Sequence, residues 1–91
     1  MLKTVSIVVT GKVQGVFYRQ STREKAMALG ITGEVRNMPD DTVHIIATGT
    51  ASQIEQLIEW CRKGPSRAIV KNVESTTILL QNFNGFSIVR K

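Results

Sequence analysis

The chain has 91 residues, with 12 Lys or Arg against 7 Asp or Glu and a formal net charge of +5. That length leaves room for one hydrophobic core, so a single domain over 1–91 is expected. The surplus charge favours anionic partners such as phosphate esters, nucleic acid or a membrane surface. No apolar run approaches the roughly 18 residues of a membrane span. The first residues, Met1 to Ser6, read as a strand rather than a signal peptide. One cysteine cannot staple the fold, which points to a reducing, cytoplasmic setting.

Thr4 to Thr10 alternates, with Val5, Ile7 and Val9 on one face, and is predicted as the first strand. Gly11-Lys12-Val13-Gln14-Gly15-Val16-Phe17-Tyr18-Arg19 follows. Its two glycines allow unusual φ values and a close approach to a ligand. A helix-like run continues from Ser21 to Leu29 and stops at Gly30. Ser21-Thr22-Arg23-Glu24 has capping-box spacing; whether the helix starts there or a turn earlier, including Arg19, is open at this stage. Ile31 to Met38 reads as strand two, Met38 to Asp41 as a Pro-containing turn, and Thr42 to Gly49 as strand three. Helix two is predicted over Ala51 to Lys63, with Ala51, Ile54, Leu57, Ile58 and Cys61 on its apolar face. Ala68 to Leu80 and Gly85 to Arg90 complete the set as strands four and five.

The order β-α-β-β-α-β with an end strand is the α+β, ferredoxin-like plan. It implies a mostly antiparallel sheet of four or five strands with two helices on one face. A right-handed crossover makes strands one and two parallel. The Val13–Arg19 loop and Asn37 then reach the same edge of the sheet, although 18 positions separate Arg19 from Asn37.

A strand, a glycine-bearing loop and a helix start form a common anion site, because free N–H groups and the helix dipole converge there. Arg19 adds a planar fork for two phosphate oxygens. The loop is neither a nucleotide P-loop nor a G-x-G-x-x-G turn. Asn37 has two readings: a turn former before Pro39, or a holder of water beside a phosphate. Cys61 to Arg67 has the Cys-x5-Arg spacing of thiol phosphatases, yet it closes a helix and Cys61 lies on an apolar face, so it reads as a core thiol. One His and one Cys fall short of a zinc ligand set, and turn chemistry accounts for Asp40-Asp41. No metal or cofactor is expected.

The segment Gly11 to Arg19 resembles the first acylphosphatase signature, G-x-V-Q-G-V-x-F-R. Gly33-Glu34-Val35-Arg36-Asn37-Met38-Pro39-Asp40-Asp41-Thr42-Val43, followed by Gly49, resembles the second. The likeness continues through Glu59-Trp60, Gly64-Pro65 and Gly85-Phe86-Ser87-Ile88. It implies metal-independent hydrolysis of small acyl phosphates to a carboxylate and inorganic phosphate by a monomer, with neither nucleic acid nor membrane as partner. By position, Arg19 would bind the phosphate and Asn37 orient the attacking water. The backbone of Gln14, Gly15, Val16, Phe17 and Tyr18 would cradle the phosphate. Tyr18, Glu34, Asp41 and Val89 depart from the family pattern. The Asp41 position should cost of order 1 kcal/mol if it needs φ > 0.

Two alternatives are a non-catalytic phosphate or acyl-phosphate binding module and an RNA-binding ferredoxin-like domain. The second lacks aromatic stacking residues on its strands and carries Glu34 on a sheet face.

Overall fold

The computed structural model describes residues 1–90. In chain order the elements are β1 (Lys3–Lys12), α1 (Tyr18–Leu29), β2 (Thr32–Asn37), β3 (Val43–Gly49), α2 (Ala51–Cys61), β4 (Ile69–Ile78) and β5 (Phe86–Val89). The five strands form one sheet of order β4-β1-β3-β2-β5. Every neighbouring pair is antiparallel except β2 and β5, which run parallel. Because β1 and β2 are each antiparallel to β3, they run parallel to one another with β3 between them. This is the ferredoxin-like arrangement expected from the element order.

Alternation on the strands decides which face is covered. Val5, Ile7, Val9, Val35, Val43, Ile45 and Ala47 are buried in one cluster with Tyr18 and Ala26 of α1 and Ile54, Leu57 and Cys61 of α2. Both helices therefore lie on that side. Each fully buried Ile or Leu contributes about 1.5–3 kcal/mol, so this shared face holds the layers together. The opposite face is polar around Glu34 and Arg36, whose side chains pair at 3.0 Å. That pair absorbs the carboxylate which the sequence placed on a sheet face.

Several boundaries differ from the sequence reading. β1 runs two residues further than Thr10, because a register shift between Thr10 and Gly11 lets pairing with β4 resume at Val70 and Ile69. Gly11 is required there: its φ is +133°, and a Cβ would run into the carbonyl oxygen of Ile69. The Ser21–Glu24 capping box does not form. Helix α1 begins at Tyr18, so Ser21 is already inside it, and its N–H bonds back to the Phe17 carbonyl at 3.0 Å. The capping box that does form belongs to α2. Gln53 N–H donates to Thr50 Oγ1 at 3.2 Å, and Thr50 N–H donates to Gln53 Oε1 at 2.8 Å. α2 ends at Cys61 rather than Lys63, and Ala51 at its start is exposed rather than part of the buried face.

Candidate active site

Three segments converge at one end of the sheet: the loop after β1, the end of β2 and the end of β5. Their order along the sheet edge follows from topology, since β2 has β3 on one side and β5 on the other. A cavity of about 440 Å³ opens between them and the start of α1. It is lined by Val13, Gly15, Phe17, Tyr18, Arg19, Gln20, Asn37, Ile88 and Arg90. The expected meeting of Arg19 with Asn37 is thus present in the fold.

The loop is built around two backbone residues in the left-handed region, Gly15 at φ 74° and Phe17 at φ 64°. The residues flanking Phe17 are buried. Val16 and Tyr18 both point into the core, which leaves Phe17 turned outward and 72% exposed. A bulky residue rarely adopts φ > 0, and here it serves as the N-cap of α1. No side chain caps this helix start, and its first turn has no acidic residue. The N–H groups of Tyr18, Arg19 and Gln20 have no intrahelical partner by helix geometry, and these residues line the cavity. Together with the helix dipole they form a positive, donor-rich wall.

Tyr18 is anchored from behind. Its buried hydroxyl donates to the Cys61 carbonyl at 2.7 Å, and its ring meets Trp60 at a centroid distance of 5.5 Å. The phenol thereby finds the partner it needs as a departure from Phe. Burial holds its pKa far above the ordinary tyrosine range, so it remains a neutral strut. Cys61 is fully buried, and burial pushes its thiol up to about 12. That is the behaviour of a core thiol, away from the cavity.

Gln14 does something the sequence reading did not foresee. Its side chain leaves the cavity and donates to two carbonyls of the β2–β3 turn, Met38 and Thr42, both at 2.9 Å. The loop is thereby tied to the turn that follows Asn37. The turn is closed further by Asp40, which accepts from the Thr42 N–H at 3.2 Å and the Thr42 hydroxyl at 2.6 Å. Those bonds hold the Asp40 carboxyl below its usual pKa. Asp41 does occupy the left-handed region, with φ 73°. Neither Gln14 nor Val16 lines the cavity; Gly15, Phe17, Tyr18 and Arg19 do.

Asn37 carries the most telling feature. Its Oδ1 is buried and has no hydrogen-bond partner among the described residues. A buried acceptor without a donor costs about 1–3 kcal/mol. Arg90, Ile88, Val13 and Gln20 were not singled out from the sequence. The signal for Arg90 was alternation: Phe86, Ile88 and Arg90 share one face of the last strand and its extension. Among the described residues no three His, Cys, Asp or Glu side chains come together as a metal site.

Comparison with known proteins identifies the family of the chain. The family model described as Acylphosphatase matches residues 5–88. The chain is 49% identical over 81 residues to an acylphosphatase of Marinobacter nauticus, covering 88% of each chain. It is 48% identical over 83 residues to one of Acaryochloris marina, covering 91% of this chain and 89% of that protein. Among solved structures, an acylphosphatase of Coxiella burnetii superposes with a TM-score of 0.94 at 38% identity, over 97% of this chain and 93% of that one.

Proposed function

The chain belongs to the acylphosphatase family, and from that premise we propose that the cavity between Arg19 and Asn37 is its catalytic centre. The reaction is hydrolysis of the carboxyl–phosphate bond of an acyl phosphate, yielding a carboxylate and inorganic phosphate. The phosphoryl group sits against the uncapped start of α1, its oxygens accepting from backbone N–H groups of the cavity-lining loop residues Gly15 and Phe17 and of the first helical residues. Arg19, on that same turn, holds two oxygens with its guanidinium fork. The N–H wall is fixed before substrate arrives, so little reorganisation accompanies charge development at the transferring group.

The observation that carries the reading is the unpartnered Oδ1 of Asn37, a residue that lines the same cavity as Arg19. A water donating one hydrogen bond to that oxygen satisfies it and is held beside the phosphorus. The water oxygen forms the new P–O bond while the bond to the acyl oxygen breaks, and that electron pair leaves on the carboxylate. Among the described residues the lining contains no carboxylate, imidazole or thiol to accept the water's proton. A phosphate oxygen of the substrate accepts it instead, and no metal takes part. An acyl phosphate has a good leaving group, so positioning and charge stabilisation supply the needed acceleration.

The test is hydrolysis of benzoyl phosphate by the purified protein with EDTA present, beside Arg19→Ala and Arg19→Lys. Wild type should turn over without metal. Arg19→Ala should lose phosphate binding, and Arg19→Lys should recover little because a point charge cannot replace the fork. Phosphate binding by folded wild type without turnover would instead select a binding module.

A further inference from the structure

The cavity holds a second guanidinium that the reaction scheme above does not use. The parallel register of β2 and β5 pairs Gly33 with Phe86, Val35 with Ile88 and Arg36 with Val89. One step further places Arg90 abreast of Asn37. The alternation that sends Phe86 into the core turns Arg90 toward the helix side of the sheet, at the end where the cavity opens. Among the described residues, Arg90 and Arg19 are the only charged ones in the lining, and no carboxylate among them stands there to neutralise either. Among the described residues the ion pairs are Arg36–Glu34 and Arg62–Glu59, and Arg90 belongs to neither.

We propose that Arg90 is a second phosphate-binding guanidinium, closing the site from the β5 side while Arg19 holds it from the α1 side. This rests on the reading of the cavity as the catalytic centre. A phosphoryl group carries close to two negative charges at neutral pH, and a single arginine matches one of them. The loop N–H groups contribute only partial charge. Two guanidinia on opposite walls complete the match and keep the group centred beside Asn37. The separated product, inorganic phosphate, carries the same charge and is retained by the same pair. Product inhibition by phosphate is therefore part of this arrangement.

The experiment measures the competitive inhibition constant of inorganic phosphate, and kcat and KM for benzoyl phosphate, in wild type, Arg90→Gln and Arg90→Lys. Arg90 is exposed, and near-ultraviolet circular dichroism confirms that each variant is folded. In Arg90→Gln the inhibition constant should rise about tenfold, the usual size for one charged hydrogen-bonding contact. Its dependence on ionic strength should become shallower, since one cation has been removed. Arg90→Lys should restore most of the affinity and the salt dependence, which a merely structural role would not do. An inhibition constant within twofold of wild type in Arg90→Gln overturns the proposal. If Arg19→Ala still loses phosphate in that case, the catalytic reading stands without it. An unchanged phosphate constant with a raised KM only for a carboxylated substrate such as succinyl phosphate would place Arg90 at the acyl end, and also overturns it. A wild type that neither binds phosphate nor hydrolyses benzoyl phosphate removes the catalytic reading and this proposal together.

Discussion

The two helices of this small fold begin in opposite ways. At the start of α2, Thr50 and Gln53 satisfy each other's backbone N–H groups in a closed capping box. At the start of α1, the N-cap is Phe17 in the left-handed region, and no side chain reaches the free N–H groups. The first arrangement uses the donors for stability. The second leaves them facing a cavity lined by Arg19 and by Asn37, whose Oδ1 is unpartnered. Both begin under the same backbone chemistry, so the difference lies in what the neighbouring side chains decline to do. On the reading proposed above, the α1 start goes without an internal cap so that a ligand can take its donors, and the fold supplies the lost stability elsewhere.

The largest effect should come from removing the acceptor at the open start. Asn37→Ala should lower kcat by about 10²-fold, the range seen when one positioned polar contact of a reaction centre is lost. The inhibition constant of phosphate should stay within about threefold, because Arg19 and the loop remain. Steady-state kinetics with phosphate as inhibitor separates the two quantities. Loss of phosphate affinity in this variant would give Asn37 the role assigned to Arg19.

A second effect concerns the joint between the helices, where the Tyr18 hydroxyl of α1 meets the Cys61 carbonyl of α2. The Cys61 thiol rises from 9.0 in its free state to about 12 in the fold, chiefly through burial. A group raised on folding contributes its stability fully below the unfolded pKa and loses it as pH climbs toward the folded one. Stability should therefore be flat with respect to this thiol below pH 9 and fall between about 9 and 12. The slope approaches about 1.4 kcal/mol per pH unit while the unfolded thiol alone is ionised. The raised Tyr18 phenol adds loss in the same direction at higher pH. Urea unfolding of wild type and Cys61→Ala from pH 8 to 10.5 checks this, with a shallower slope expected in the variant.

The smallest effect sharpens the contrast most cleanly. Thr50→Ala opens the box at α2 and should cost about 1 kcal/mol of stability. Thr50 does not line the cavity, so kcat/KM for benzoyl phosphate should be retained. Denaturant midpoints together with initial rates on the same preparation check both halves. A fall in kcat/KM would mean that the two helix starts are coupled through the core.

The convergence of Arg19 and Asn37 was legible before any coordinates, because alternation, turn residues and the handed crossover determine which strand ends share an edge. The start of α1 was not. Ser21-x-x-Glu24 carries the spacing of a cap, while the actual N-cap is a phenylalanine at positive φ, which no local propensity favours. It stands between two buried residues, Val16 and Tyr18, while its own ring is exposed. The true capping box at Thr50-Ala51-Ser52-Gln53 was written in the sequence and could have been read from its spacing. Gln14 could not have been assigned its turn-tying role, since its partners are carbonyls 24 and 28 positions away. Alternation with Phe86 and Ile88 marks the face of Arg90, but its place at the cavity depends on the parallel pairing of β5 with β2, between chain segments 53 residues apart.

The most direct test of the open helix start is a titration of the 15N-labelled protein with inorganic phosphate, followed by backbone amide shifts. The expected result is saturable movement of the amides of Gly15 to Gln20 and of the Arg19 side-chain Nε, with those of Ala51 to Gln53 unmoved. Movement absent from the Gly15–Gln20 segment, or equal at both helix starts, would contradict the assignment of α1 as the phosphate-binding end of the fold.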